Sequence, residues 1–385
     1  MSQTWISASK PTWTWMPAKR KAKPCSRTTA SVSWKTWHNP ALWRDAAGFA
    51  AACPAWHCGI SVLAFSLNRD YSSTLSIAKN DREYHEHDRS TMSDYIIATA
   101  STSDLPRTWL DEHQVPFIAY GYTVGDRACE DDCREESRVA VYEGMRAGDR
   151  LKTSMINEFA YMDFFRSLLQ SGLDVVFCDM SLEMSASYAN SLVAAEKVRA
   201  EFPEQRLYVM DTRCISGGLG TLVVEMVRRK EQGASFDEVV AWAEQNKLNI
   251  AHRFTVDDLN YLKEGGRVSN ASALLGTVLN IKPVLYVPDK GTLDVVSKVR
   301  GRKASLRAIR DGIVHDLSKV DPTGVEIHIL HADCRKDAET IRDQVKAEYP
   351  QLGRITITSL GVVIGAHCGP GLLAVFYLCD GRYPE

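Results

Sequence analysis

From Met92 onward the chain alternates short apolar runs with stretches of helical length, and that alternation restricts the fold more than any other feature. Tyr95-Ile96-Ile97-Ala98-Thr99 is too short and too apolar for a surface helix and reads as a buried strand. Ser101-Thr102-Ser103-Asp104 follows as N-cap material, with Pro106 as a helix-start residue. Gln114–Tyr122 reads as a second strand. Ser154 is a candidate cap for a helix over Ile156–Gln170, which stops at Gly172. Asp174–Met180 is a further buried strand, then come a Ser-rich stretch, a helix from Tyr188 to Glu201, the strand Leu207–Met210, a turn at Gly217-Gly218 and a helix over Thr221–Gln232. Strands and helices in this order imply a parallel sheet covered on both faces.

After about residue 250 the pattern changes. Short helices are expected at Asp257–Glu264 and Ser269–Asn280. Val284–Val287 and Leu293–Lys298 form a hairpin-like pair around Asp289-Lys290-Gly291. Ala304–Ser318 and Asp337–Tyr349 read as helices; Val325–His331, Ile355–Ser359 and Leu372–Leu378 read as strands. The expected fold class is α/β in two domains. Residues 92–250 form an N-terminal parallel-sheet domain, and 251–385 a C-terminal domain with a mixed or antiparallel sheet.

Residues 1–91 differ in composition. They hold seven of the nine Trp, with 12 Lys and Arg against 6 Asp and Glu, whereas the remainder has 34 against 42. No helical or strand period runs through them. Residues 46–68 carry no formal charge but are Ala-rich and include Pro54, His57 and Asn68, which is weak for a membrane span. A secretory signal fits poorly because the apolar part starts too late. His85 and His87 share a face only in a strand, and no further metal ligands stand near them. The segment is therefore expected to be a poorly structured or non-native extension ahead of a start at Met92, with no function placed there.

The formal net charge of the whole chain is -2, so no global field draws it to nucleic acid or to anionic membrane. Ten Cys at irregular spacing suggest reduced thiols and a cytoplasmic location. The chain lacks G-x-x-x-x-G-K-[ST], G-x-S-x-G and H-E-x-x-H motifs, and Gly217-Gly218-Leu219-Gly220 lacks the full dinucleotide-binding spacing. Cys129 and Cys133, set among Glu130, Asp131 and Asp132, do not complete a zinc site. No metal or cofactor is expected.

In open α/β sheets, ligands bind beyond the carboxyl ends of the strands. Hydroxyls collect at those ends here: Ser101, Thr102 and Ser103; Thr153 and Ser154; Ser181, Ser185 and Ser187; Thr212 and Ser216. Hydroxyls and helix N-termini together suit a carboxylate or phosphate, although each Ser or Thr alone is explained as a cap. A glycine-rich stretch, Gly361 to Gly371, lies between two apolar strands and reads as a tight turn holding His367, which can donate to a carboxylate. Arg267, after Gly265-Gly266, is either a solvated inter-helix Arg or an anion or partner contact.

These motifs resemble those of the DegV family of bacterial fatty-acid-binding proteins. The resemblance rests on FTVDDLNYLKEGGRVSNASALLGTVLNIKPVLYV, KVRGRKAS and GVVIGAHCGPGLLAVFYL, and runs from about residue 93 to 382. It implies two α/β domains with one long-chain fatty acid in an apolar tunnel between them. The carboxylate would be held by Thr153, Ser154, Ser181, Ser185 and His367, with Arg267 on the Gly-Gly-Arg motif. It also implies a non-catalytic, cytoplasmic protein without stable membrane insertion. Such a protein presents the acid to a fatty acid kinase, which makes an acyl-phosphate for phospholipid synthesis. This chain departs from the family pattern in places: Ala100 replaces an Asp, Leu182 a Ser and Ala186 a Gly, Glu183 adds a charge, and Met155-Ile156-Asn157 stands for Gln-Pro-Ser. Two other readings remain: a hydrolase using Ser181 or Ser185 with His367, and a module for a different small anion.

Overall fold

The structure is a computed structural model that describes residues 95–267 and 280–382. The candidate span at 46–68, the His85 and His87 pair and most of the helix expected over Ser269–Asn280 lie outside the described residues.

Four strands, β1 (Tyr95–Ala100), β2 (Phe117–Ile118), β6 (Asp174–Asp179) and β7 (Leu207–Asp211), form a parallel sheet in the order β2-β1-β6-β7. Its central strands are buried on both faces, which explains their nearly unbroken apolar sequence. The helices α1 (Arg107–Glu112), α3 (Glu158–Leu169), α4 (Ser187–Glu201), α5 (Gly217–Glu231) and α6 (Phe236–Asn246) accompany it, and α2 (Glu135–Ala147) precedes the site region. Tyr161, Phe165 and Phe177 pack ring against ring beneath α3, with centroids 5.2–5.8 Å apart.

A six-stranded mixed sheet follows in the order β10-β9-β8-β13-β11-β12. It comprises β8 (Ile250–Thr255), β9 (Ile281–Tyr286), β10 (Asp294–Arg300), β11 (Ile327–His331), β12 (Ile355–Ser359) and β13 (Leu373–Leu378). Only the β11–β12 pair is parallel; β9 and β10 form the expected antiparallel hairpin. Helices α8 (Arg302–Leu317) and α9 (Arg335–Glu348) supply Ile309, Ile313, Ile341 and Val345 to the core on one face. Helix α7 (Leu259–Gly265) follows β8, and α10 (Val362–Cys368) lies between β12 and β13.

α5 packs against strands of both sheets, so its buried surface is wider than one stripe. The Gly-Gly-Leu-Gly at its start permits that approach. A Cβ on Gly217 would lie 2.6 Å from the Phe376 ring, and one on Gly220 would lie 2.5 Å from the Ser103 carbonyl. The glycines that fall short of a dinucleotide motif thus serve close helix–sheet packing.

Three local expectations need correction. Gln114–Tyr122 is not one strand: β2 joins the parallel sheet, while β3 (Gly121–Val124) joins β4 (Arg127–Glu130) and β5 (Leu151–Thr153) in a small antiparallel sheet. Ser154 does not cap α3; Asn157 does, its side chain accepting from the Ala160 N–H at 2.9 Å. Residues 362–368 are helical rather than a tight turn, and the left-handed glycines Gly369 and Gly371 come only after that helix.

Candidate functional site

β5 pairs with β3 so that Thr153 lies opposite Tyr122, and the Ser154 N–H donates to the Gly121 carbonyl at 3.0 Å. Gly121 leaves room for the serine: a Cβ there would fall 2.6 Å from Ser154 Oγ. On the facing side α10 carries His367. A second glycine, Gly265 at the end of α7, makes space for its ring, since a Cβ would fall 2.6 Å from Nδ1. Thr153 Oγ1 and His367 Nε2 then meet at 2.9 Å.

The His367 ring is half-buried. Loss of water and the positive charge of Arg267 lower its pKa to about 4, against the opposing effect of the Gly265 backbone, so the ring is neutral at pH 7. Arg267 is exposed; its Nη1 donates to the Gly265 carbonyl at 2.5 Å and its Nε reaches the Met184 carbonyl at 3.5 Å. It therefore spans the end of α7 and the loop after β6.

That loop holds the other candidate serines. Ser185 Oγ accepts from the Tyr120 hydroxyl at 3.4 Å and donates to Ser187 Oγ at 3.0 Å, and Ser187 Oγ accepts from the Ile156 N–H at 3.1 Å. Burial raises the Tyr120 pKa, so its hydroxyl is a neutral donor. Ser181 is placed differently. It is fully buried, its Oγ accepts from the Glu183 N–H at 3.3 Å, and it packs against Gly291. Glu183 itself is exposed.

Thr153, Ser154, Ser185, Arg267 and His367 all line one cavity of about 620 Å³, part of it open to solvent. Ser181 does not line it. The remaining wall is mostly apolar and includes Met155, Met180, Met184, Leu262 and Val363. A second cavity of about 350 Å³, also partly open to solvent, shares Ile215, Leu293, Ile364 and Cys368 with the first, and continues between Phe254, Leu360, Leu372, Ala374 and Phe376. Its two polar side chains are already engaged. Ser216 Oγ donates to Asp104, while His252 accepts from the Ile215 N–H at 3.2 Å and bonds the Ile250 carbonyl through Nδ1 at 2.9 Å. Burial drives the His252 pKa far down, so this ring too is neutral.

Sequence reasoning missed Tyr120 and the apolar wall. A Met or Leu that lines a void has the same local pattern as one packed in a core, so only the glycines at 121 and 265 hinted at close approach. Among the described residues, no serine hydroxyl bonds His367. No group of three His, Cys, Asp or Glu side chains there is arranged to hold a metal ion, and no described helix is long and apolar enough to cross a membrane.

A parallel sheet and a mixed sheet flanking a cavity with one polar end and an apolar extension define an α/β protein with an amphipathic pocket. The chain belongs to the DegV family: residues 95–380 match the family model described as "Uncharacterised protein, DegV family". A DegV domain-containing protein of Clostridium perfringens is 35% identical over 296 residues, covering 76% of this chain and all of the relative. One from Streptomyces coelicolor is 31% identical, covering 72% and 96%. Among solved structures, a DegV family protein from Thermus thermophilus, described by its fatty acid binding, matches with TM-score 0.67 and 26% identity over 74% of this chain and 99% of its own. A stearic acid-binding protein from Eubacterium ventriosum matches with TM-score 0.67 and 22% identity over 74% and 98%.

Proposed function

We propose that this protein binds one long-chain fatty acid between two lobes, residues 92–250 and 251–385. The acyl chain runs from the first cavity into the second, and the carboxyl group lies near Thr153 and His367. The observation that carries this reading is the pair of cavities with a shared wall: polar groups gather at one end, and the far end is apolar. The solved DegV proteins described as binding fatty acids support it. Ser154, Ser185 and the Tyr120 hydroxyl supply further donors, and Arg267 stands at the mouth. Ser181 acts by shaping the loop that carries Ser185.

The energetics suit a carrier. Each buried methylene contributes about 0.8 kcal/mol, so a sixteen-carbon chain offers on the order of 11 kcal/mol before ordering costs. An unpaired buried carboxylate would offset much of that, which is why the polar end matters. We further propose that the bound acid is presented to a fatty acid kinase for acyl-phosphate formation and phospholipid synthesis, the protein itself not being the catalyst.

Mass spectrometry of a denatured extract from protein purified without added lipid tests the reading. A co-purifying fatty acid is expected. A lipid-free preparation that also refuses added fatty acid would overturn it. The hydrolase alternative requires a serine paired with His367, and labelling of a single serine by a fluorophosphonate would favour it instead.

A further inference from the structure

We infer that the protein has a second ligand site, apart from the fatty-acid cavities, which takes a small monocarboxylate with a flat apolar body. It lies in a third cavity of about 550 Å³, part of it open to solvent, which shares no lining residue with the two described above. One wall comes from the paired strands β11 and β12, where His328 stands opposite Thr356 and Leu330 opposite Thr358. Ile327, Ile329, Ile355 and Ile357 alternate with these and join the core under α8 and α9. The other wall is Gly217, Gly220, Thr221 and Val224 of α5, with the turn at residues 103–106 and Trp109 of α1. An edge strand with a solvated face would alternate in the same way as Arg354, Thr356 and Thr358. Here that polar row is turned toward α5 and lines the cavity.

Three lining side chains have hydrogens to donate and no acceptor among the described residues. Ser103 is fully buried, and its hydroxyl has no hydrogen-bond partner. The Thr358 hydroxyl and the Arg354 guanidinium are likewise unpartnered. The remaining polar groups are engaged. His328 Nδ1 and Thr356 Oγ1 bond each other at 3.0 Å, and the Thr221 hydroxyl donates to the Gly217 carbonyl at 2.7 Å. The Asp104 carboxyl faces Ser216 and Gly361, neither of which lines this cavity. A buried hydroxyl without a partner is disfavoured, so an acceptor that reaches Ser103 gains more than one bonded at an open surface.

The charge selects among acceptors. Burial, with the Arg354 and Arg228 guanidiniums adding to it, lowers the His328 pKa to about 4, so this ring is neutral near pH 7. Arg228 is held by Glu225 at 2.8 Å and Glu326 at 3.1 Å, whereas Arg354 is unpaired. One unpaired cation suits one negative charge. A phosphate monoester is close to dianionic near neutral pH and would keep an uncompensated charge. The two oxygens of a carboxylate match the guanidinium fork and leave lone pairs for Thr358 and Ser103. Leu105, Pro106, Trp109, Val224 and Leu330 supply an apolar wall for the rest of the molecule, and the Trp109 indole favours a flat ring against it. None of this depends on the fatty-acid reading.

Saturation-transfer NMR titration of sodium benzoate into the full chain, with phenyl phosphate in parallel, tests the site. Benzoate is expected to bind, and more tightly than phenyl phosphate. Arg354→Gln should weaken benzoate about tenfold or more, the scale of hydrogen bonds to a charged group. Ser103→Ala removes an unpaired hydroxyl, so it should weaken benzoate about threefold while leaving the urea-unfolding midpoint level or higher. His367→Ala, in the other cavity, should leave benzoate binding unchanged. Absence of benzoate binding, or equal binding in Arg354→Gln, would overturn the inference. A loss in His367→Ala as large as that in Arg354→Gln would overturn it too, by placing benzoate in the first cavity. Tighter binding of phenyl phosphate would overturn the assignment to a carboxylate.

Discussion

Ser216 Oγ donates to Asp104 Oδ2 at 2.5 Å, tying the turn after β1 to the start of α5. Arg138 extends this link, donating to the Asp104 and Leu105 carbonyls at 3.1 and 3.2 Å and to the Ser359 carbonyl, at the end of β12, at 2.8 Å. A buried carboxyl group and a buried guanidinium thus join the two sheets next to the helix that carries His367.

Burial raises the Asp104 pKa from 3.8 to about 7, with Arg138 and Ser216 acting in the opposite direction. Its folded-state pKa lies above the unfolded value, so between the two the folded protein holds more protons. The Asp104 contribution is complete below the unfolded pKa and is lost as pH rises toward about 7. The slope attributable to this residue reaches at most about 1.4 kcal/mol per pH unit. Urea unfolding across that range is expected to show a steeper loss of stability in the wild type than in Asp104→Asn. Parallel curves would show that Asp104 titrates normally.

Gly265→Ala tests how the histidine is seated. The new methyl group would meet the ring edge, 2.6 Å from Nδ1, and push it off Thr153. Fatty-acid affinity is expected to fall roughly tenfold or more, the scale of one hydrogen bond to a charged group. The unfolding midpoint should hardly move, because alanine suits a helix better than glycine. Displacement of a fluorescent fatty acid reads the first quantity, and urea titration the second.

Ala374 lines only the second cavity. Ala374→Leu shortens the apolar space, and each excluded methylene forfeits about 0.8 kcal/mol. Long acids are expected to lose affinity while short acids keep theirs. A competition series across chain lengths would expose the opposite case, a uniform loss, as plain damage to β13.

Within the six-stranded lobe, Arg253 and Asp316 form a two-pronged pair at 2.7 and 2.6 Å, both buried, with the Tyr377 hydroxyl donating to the same carboxylate at 2.6 Å. Removing one partner strands the other charge. Asp316→Ala is expected to cost about 3–5 kcal/mol in urea unfolding, and the double change Arg253→Met with Asp316→Leu should recover much of that. A single variant as stable as wild type would mean that water reaches the pair.

Much of the fold was readable from residue pattern. β1 and β6 showed as apolar runs because both faces of a central parallel strand are buried, and the β9–β10 hairpin showed in its turn residues. The stretch after Gly361 was misread because its glycines and Pro370 dominate the local signal. Its helix instead depends on distant partners: Tyr142 lies under Gly365, where its hydroxyl bonds the Leu360 carbonyl at 3.0 Å, and Tyr261 packs beside Gly369. The serines after β6 show the same limit. Ser181 and Ser185 are both plausible ligand contacts by spacing, yet the first is used within its own turn and the second lines the cavity.

The sequence by itself determined the order of most strands and helices, the change of style near residue 250 and the gathering of hydroxyls at strand ends, because periodicity and side-chain chemistry act over a few neighbours. The pairing of Thr153 with His367, separated by 214 positions, was decided only in three dimensions. So was the choice of which Met, Leu and Ile face a void. Those outcomes depend on what the missing Cβ atoms at 121 and 265 come to face, and on how α5 seats both sheets, and local pattern specifies neither partner.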